Sequence, residues 1–181
     1  MAGTTVDEDN VVYKTLHRAV EDAGYEVSLE EVLLLGAGQE KLQALKAILA
    51  EREAKPEVIN GIFERFQDML REAYDKLDVR PQPGSEKLFR YLREKGIKVV
   101  LNTGYNNATA RNLLDKLNWK EGRDIDLLVT ADQVANPRPK GDMIVKAMQH
   151  FGISDPSTVA KIGDSIIDIE EGRNASCSLS I

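Results

Sequence analysis

Gly163-Asp164-Ser165-Ile166-Ile167-Asp168, running on through Gly172, Asn174 and Ala175 to Cys177, is the stretch on which the reading of this chain turns. It follows a short apolar run, Val159 to Ile162, and its pattern after Ile166 is helical. Two carboxylates four residues apart at a helix start share one face. Hard cations such as magnesium take few, well-placed carboxylate oxygens and keep several waters. The bland alternative is that both acids only complement the helix dipole. The strand before them, the glycine and the spacing together favour a metal site.

Working back from this stretch, helix and apolar strand alternate. Ser85 is a candidate cap for a helix carrying Leu88, Tyr91 and Leu92, which Gly96 ends. Strands are expected at 97–101, 126–130 and 159–162, with the beginning of another at 179–181. Helices are expected from Asn106, over 142–150 and over 166–173. Such alternation means a parallel sheet covered on both faces, with ligands bound beyond the carboxyl ends of the strands. Two further strand ends carry polar chemistry. Asn102-Thr103-Gly104 offers a hydroxyl and a loose backbone; alone it reads equally as an ordinary turn. Asn136-Pro137-Arg138-Pro139-Lys140 offers two cations beside prolines, suited to clamping a phosphoryl group; alone it reads as a solvated basic turn.

Before Pro81-Gln82-Pro83-Gly84 the pattern is helical throughout. Val12, Leu16, Ala19, Val20 and Ala23 share one face, and Gly24 is a stop. Ser28 with Glu31 makes a capping pair. A third helix is expected over 39–53 and a fourth after Pro56, striped by Ile59, Ile62, Phe63, Phe66, Met69, Leu70, Ala73 and Leu77.

A hydroxyl, a basic residue and paired acids, each after a successive parallel strand, resemble the motifs of the haloacid dehalogenase superfamily. Thr103 matches the second motif, Arg138 the third, and Asp164 with Asp168 the fourth; Gly163 to Cys177 is similar to the family's whole fourth-motif stretch. The resemblance implies an α/β fold with a Rossmann-like parallel sheet core, formed by 1–8 and 82–181, and an inserted helical cap over 9–81. Met1-Ala2-Gly3-Thr4-Thr5 resembles the end of the first motif in the phosphonatase-like branch, where alanine replaces the acid that protonates a leaving alkoxide. The resemblance then puts the attacking aspartate immediately before Met1. The first, central strand would be missing, the last cut short, and the chain as given inactive.

The activity implied is magnesium-dependent hydrolysis of a small phosphonate or phosphate through an aspartyl phosphate. Asp164 would hold the metal, Asp168 would support it, and Ala2 counts among the metal-binding positions. Thr103 and Arg138 would neutralise the phosphoryl group, with Gly3, Thr4, Gly104 and Lys140 binding substrate. Phosphonoacetaldehyde hydrolases add a cap lysine, three residues after a glycine, that forms a Schiff base. Gly38-Gln39-Glu40-Lys41 has that spacing. Where those enzymes have a histidine three residues after the lysine and a methionine four before it, this chain has Ala44 and Ala37. Glu40 beside Lys41 would also favour its charged form. Lys41 is therefore open between Schiff-base lysine, substrate-binding cation and solvated helix residue.

The third motif departs too. Pro137-Arg138-Pro139-Lys140-Gly141-Asp142 exchanges the family's glycine and proline, which leaves open whether Arg138 or Lys140 points inward. Other readings of the whole are an ester phosphatase of the same superfamily and a catalytically dead phosphate-binding protein.

Bulk properties agree with a small anionic substrate rather than a polymer. The 181 residues carry a net charge of −6 and a pI near 5.1, against nucleic acid or an anionic membrane as the main partner. Cys177 is the single cysteine, no apolar run reaches membrane length, and the first residues lack the features of a signal peptide. The cytoplasm is the expected location. His17 and His150 match no motif and are expected to be ordinary helix residues; Trp119 and Cys177 are expected to be packing residues.

Overall fold

The structure is a computed structural model describing residues 1–37 and 39–181. In chain order its elements are β1 (Val6–Asp7), α1 (Val11–Asp22), α2 (Leu29–Gly36), α3 (Lys41–Leu49), α4 (Pro56–Lys76), β2 (Arg80–Pro81), α5 (Ser85–Glu94), β3 (Val100–Thr103), α6 (Asn107–Lys116), β4 (Leu127–Thr130), α7 (Asp142–His150), β5 (Ala160–Lys161), α8 (Ile166–Asn174) and β6 (Leu179–Ser180). They form two compact units, one of Met1–Asp7 with Val79–Ile181, the other of Glu8–Asp78. None of the described helices is long and apolar enough to cross a membrane.

The first unit is α/β. β3 and β4 pair in parallel, Val100 opposite Leu127 through Thr103 opposite Thr130. β5 and β6 form a second parallel pair, and β1 and β2 an antiparallel one. Among the described strands no ladder joins β3–β4 to β5–β6. β3 begins three residues later and ends two residues later than the strand expected from the sequence, because Ile97 is half exposed as the chain leaves α5, and Val99 bonds Asp126 just ahead of the ladder. Val79, Arg80 and Pro81 belong to this unit and not with the helical segment, since Arg80–Pro81 pairs with Asp7–Val6. The apolar core includes Val129, Met143 and Ala147 on one side and Ile144, Met148 and Ala175 on the other.

Caps account for the helix starts. Asn106 accepts from Thr109 N at 2.9 Å and so begins α6. Ser85 is not the cap of α5: Gly84, at φ 87°, takes that position, and the buried Ser85 side chain makes no capping bond.

The second unit is a packed set of α1 to α4. Val12, Leu16, Val20, Val32, Leu45, Ile48, Leu49, Ile62, Phe66 and Leu70 are buried, the periodic faces read from the sequence. Ser28 caps α2 by accepting from Glu31 N. The helix expected over 39–53 starts only at Lys41, because the Glu40 carboxylate caps it, and tightens to a 3-10 turn over Ala50–Arg52. Arg52 forks onto both oxygens of Glu31 at 2.7 and 2.9 Å, tying that turn to α2. At the unit's two ends, Tyr74 donates to the buried Glu8 carboxylate at 2.8 Å.

Candidate active site

The polar residues after the parallel strands meet in a buried charge cluster. Arg138 Nη1 donates to Asp168 Oδ1 at 2.5 Å, and both side chains are nearly inaccessible. Lys161, from β5, lies 2.7 Å from the same oxygen and donates to Asn102 Oδ1 at 2.8 Å. Ser165 donates to Asp168 Oδ2 at 2.6 Å. Asn102 in turn donates to Glu171 Oε1 at 2.8 Å. Side chains thus bridge β3 to β5 and α8 where no ladder does. Lys161 Nζ is also 3.1 Å from Glu171 Oε2, a charge contact without hydrogen-bond geometry.

Burial raises the Asp168 pKa, but the pull of Arg138 and then Lys161 outweighs it and holds the carboxyl well below the ordinary range. Asp168 is therefore a carboxylate consumed by its partners. The backbone nitrogen of Met1 donates to Asn102 O at 3.4 Å.

The remaining motif residues of this unit divide between inside and outside. Thr103 is buried, and its hydroxyl oxygen accepts from Tyr105 N at 3.2 Å, leaving its own proton to give. Gly104, next to it, is buried. Thr4 donates its hydroxyl to Asp164 Oδ1 at 2.5 Å. Gly3 has φ 82°, and a Cβ there would sit 2.4 Å from Asp164 Oδ2, so only glycine lets the Asp164 carboxylate lie so close to the backbone. Ala2 pairs with Val6 in an isolated bridge, and the turn's donors, Thr5 N, Val6 N and Thr5 Oγ1, converge on the Met1 carbonyl and not on that of Ala2.

The structure answers the third-motif question: Arg138 points inward, while Lys140 is exposed, its backbone N–H bonded to Pro137 O. The sequence offers Asp164 and Asp168 for metal, but both oxygens of Asp168 are engaged, which leaves Asp164 as the available carboxylate. Among the described residues no three His, Cys, Asp or Glu side chains gather to hold an ion. Magnesium can bind through one carboxylate and waters, so Asp164 fits that ion without a full protein cage.

Lys161 and Glu171 went unread in the sequence. Lys161 stands in an apolar strand, and Glu171, three residues before Asn174, reads as a solvated helix position. The signal that could have found Lys161 is a lysine inside a short β-strand run two residues before a Gly-Asp pair. In the second unit Lys41 is buried rather than solvated. Glu40 does not face it as a counter-charge, because its oxygens accept from Leu42 N and Gln43 N at 3.0 and 3.1 Å. Gly38 lies outside the described residues. Trp119 packs edge-on to Phe89 and donates to Glu86; His17 bonds Val27 O; Cys177 packs beside Ile144 and Met148.

This order of residues has counterparts in known proteins. The profile of the haloacid dehalogenase-like hydrolase family matches residues 1–180. The chain belongs to the haloacid dehalogenase-like hydrolases. Within that superfamily it is phosphonatase-like. It is 30% identical, over 96% of its length and 29% of the relative's, to a bifunctional phosphonoacetaldehyde hydrolase/aminoethylphosphonate transaminase of Clostridioides difficile. It is 32% identical, over 66% of its length and 42% of the relative's, to a phosphonoacetaldehyde hydrolase of Bordetella pertussis. The haloacid dehalogenase-like chain thus spans less than half of the length of either relative. Its fold matches the crystal structure of a phosphonoacetaldehyde hydrolase-like protein from Oleispira antarctica with a TM-score of 0.85 and 23% identity, over 98% of this chain and 68% of that one.

Proposed function

We propose that this protein hydrolyses a small phosphonate or phosphate with magnesium, in the manner of the phosphonatase-like branch. The observation that carries this reading is Arg138 Nε: it is buried, has no hydrogen-bond partner among the described residues, and belongs to a guanidinium anchored at its other end by Asp168. A buried donor left over in this way costs stability unless a ligand takes it. An anionic oxygen is its natural acceptor.

The resemblance assigns the attack on phosphorus to an aspartate one position ahead of Met1. What these residues supply is the surrounding electrostatics. Arg138 neutralises the phosphoryl oxygens as charge builds on them, and the Thr103 hydroxyl donates to another. Asp168, Lys161 and Ser165 fix the guanidinium so that no reorganisation is needed at the moment of transfer. Asp164 would hold magnesium, with Gly3 and Thr4 shaping its carboxylate; the bound ion supplies charge neutralisation at the phosphoryl group. Ala2 cannot protonate a departing alkoxide, which favours a substrate whose leaving group is carbon. For such a substrate Lys41 would condense with a carbonyl two bonds from phosphorus, so that the leaving carbon departs as an enamine.

Calorimetric titration tests the metal assignment. Magnesium binding, weak in the 181 residues, is expected to vanish in Asp164→Ala; equal affinity in that variant would remove Asp164 from the metal site.

A further inference from the structure

Lys41 is held by one particular side chain. Its Nζ donates to Tyr13 Oη at 3.3 Å, to Gly36 O at 3.5 Å and to Gln39 O at 3.0 Å, and it lies 4.5 Å from the centre of the Tyr13 ring. Tyr13 comes from α1, 28 residues away in sequence. Beside it stands Ala44, fully buried: a Cβ built on Gly36 would lie 3.4 Å from Ala44 Cβ and 3.8 Å from Tyr13 Cε1. Ala44, where the resemblance leads one to expect an imidazole from α3, and the phenol ring from α1 thus both pack against Gly36.

We propose that Tyr13 is the positioning residue of Lys41 and the relay for its protons during capture of a carbonyl-bearing phosphonate. This deepens, and rests on, the reading of Lys41 given above. The chemistry selects Tyr13 from among the acceptors just described. Two are carbonyls, which can only accept; the phenol can accept one proton while donating another. Condensation of the Lys41 ammonium with a carbonyl forms a C–N bond and breaks the C–O double bond. Two of the three ammonium protons leave with that oxygen as water, and the positive charge stays on nitrogen as a protonated imine. Each of those protons must travel from nitrogen to oxygen, and the hydroxyl bonded to Nζ is placed to pass them. Because the charge is the same before and after, the ring face near Nζ favours both states and holds the nitrogen in place throughout.

The test is borohydride trapping with phosphonoacetaldehyde, read by mass spectrometry at Lys41 over a range of pH. Wild-type protein is expected to label at Lys41. Tyr13→Phe keeps the ring and its packing but loses the relay, so labelling should slow on the order of 10²-fold, with an altered pH profile. Tyr13→His, which can also accept and donate, should recover much of that loss. Labelling of Tyr13→Phe at the wild-type rate at every pH would overturn the role of Tyr13 and leave Lys41 standing. Absence of any Lys41 adduct in wild-type protein that still binds the phosphonate would overturn both.

Discussion

Asp168 is the residue on which the site's geometry depends. It is the shared counter-ion of Arg138 and Lys161, and both cations are nearly inaccessible. Removing one partner of a buried ion pair leaves an uncompensated charge in a poor solvent. Asp168→Asn is therefore expected to cost about 3–5 kcal/mol of unfolding free energy, measured by urea titration at pH 7. A loss under about 1 kcal/mol, the usual worth of an exposed pair, would mean that water reaches the cluster. The pH dependence has a definite sign. The folded carboxyl titrates below its unfolded value of about 3.9, so its contribution is complete above that value and is lost as pH falls towards the folded pKa. The gap between wild type and Asp168→Asn should stay level from pH 5 to 8 and narrow only in stronger acid. A gap that closes near neutrality would mean that another group titrates.

At the scale of elements, helix starts decide how the functional segments leave the strands. α6 follows directly on the Thr103-Gly104 strand end, and Asn106 caps it through Thr109 N. Asn106→Ala is expected to cost about 1 kcal/mol. Ser85→Ala, at a helix whose cap is Gly84, should cost less, since no capping bond is lost. Chemical denaturation of the two variants distinguishes these assignments; equal losses would return Ser85 to the capping role. The same comparison applies to Glu40, which gives α3 two capping bonds and is thereby kept off Lys41.

At the scale of the whole molecule, the α/β unit consists of two parallel pairs bridged by side chains. Asn102 reaches Lys161 and Glu171 across the interval that a ladder would otherwise span. The resemblance implies a further strand ahead of Met1, central in the sheet and buried on both faces. Four or five apolar side chains there, at about 1.5–3 kcal/mol each, sum to on the order of 10 kcal/mol, comparable with the 5–15 kcal/mol of a typical domain. An apolar strand ending in aspartate, added ahead of Met1, should raise the melting temperature and bring magnesium-dependent hydrolysis of phosphonoacetaldehyde or a phosphate ester. The same strand ending in asparagine should raise the melting temperature alone. Robust turnover by the 181 residues by themselves would show that the attacking group lies among them.

The sequence by itself determined the fold class, the family and the identity of the chemical groups. Helical periodicity, apolar strand runs and the Gly163-to-Cys177 stretch are local patterns, and local patterns survive in one dimension. Thr103, Arg138, Asp164 and Asp168 were legible because each follows a strand in a fixed order. Only the tertiary structure decided which of them remain available. Asp168 is spent on Arg138 and Lys161, Arg138 and not Lys140 turns inward, and Lys41 is buried against Tyr13 rather than solvated. The Arg138–Asp168 and Lys41–Tyr13 contacts join residues 30 and 28 positions apart, the Lys161–Asp168 contact joins a strand to the helix after it, and the choice between Arg138 and Lys140 turns on which way a loop side chain faces. Whether a buried charge finds its counter-charge is settled by three-dimensional proximity, which no spacing along the chain encodes.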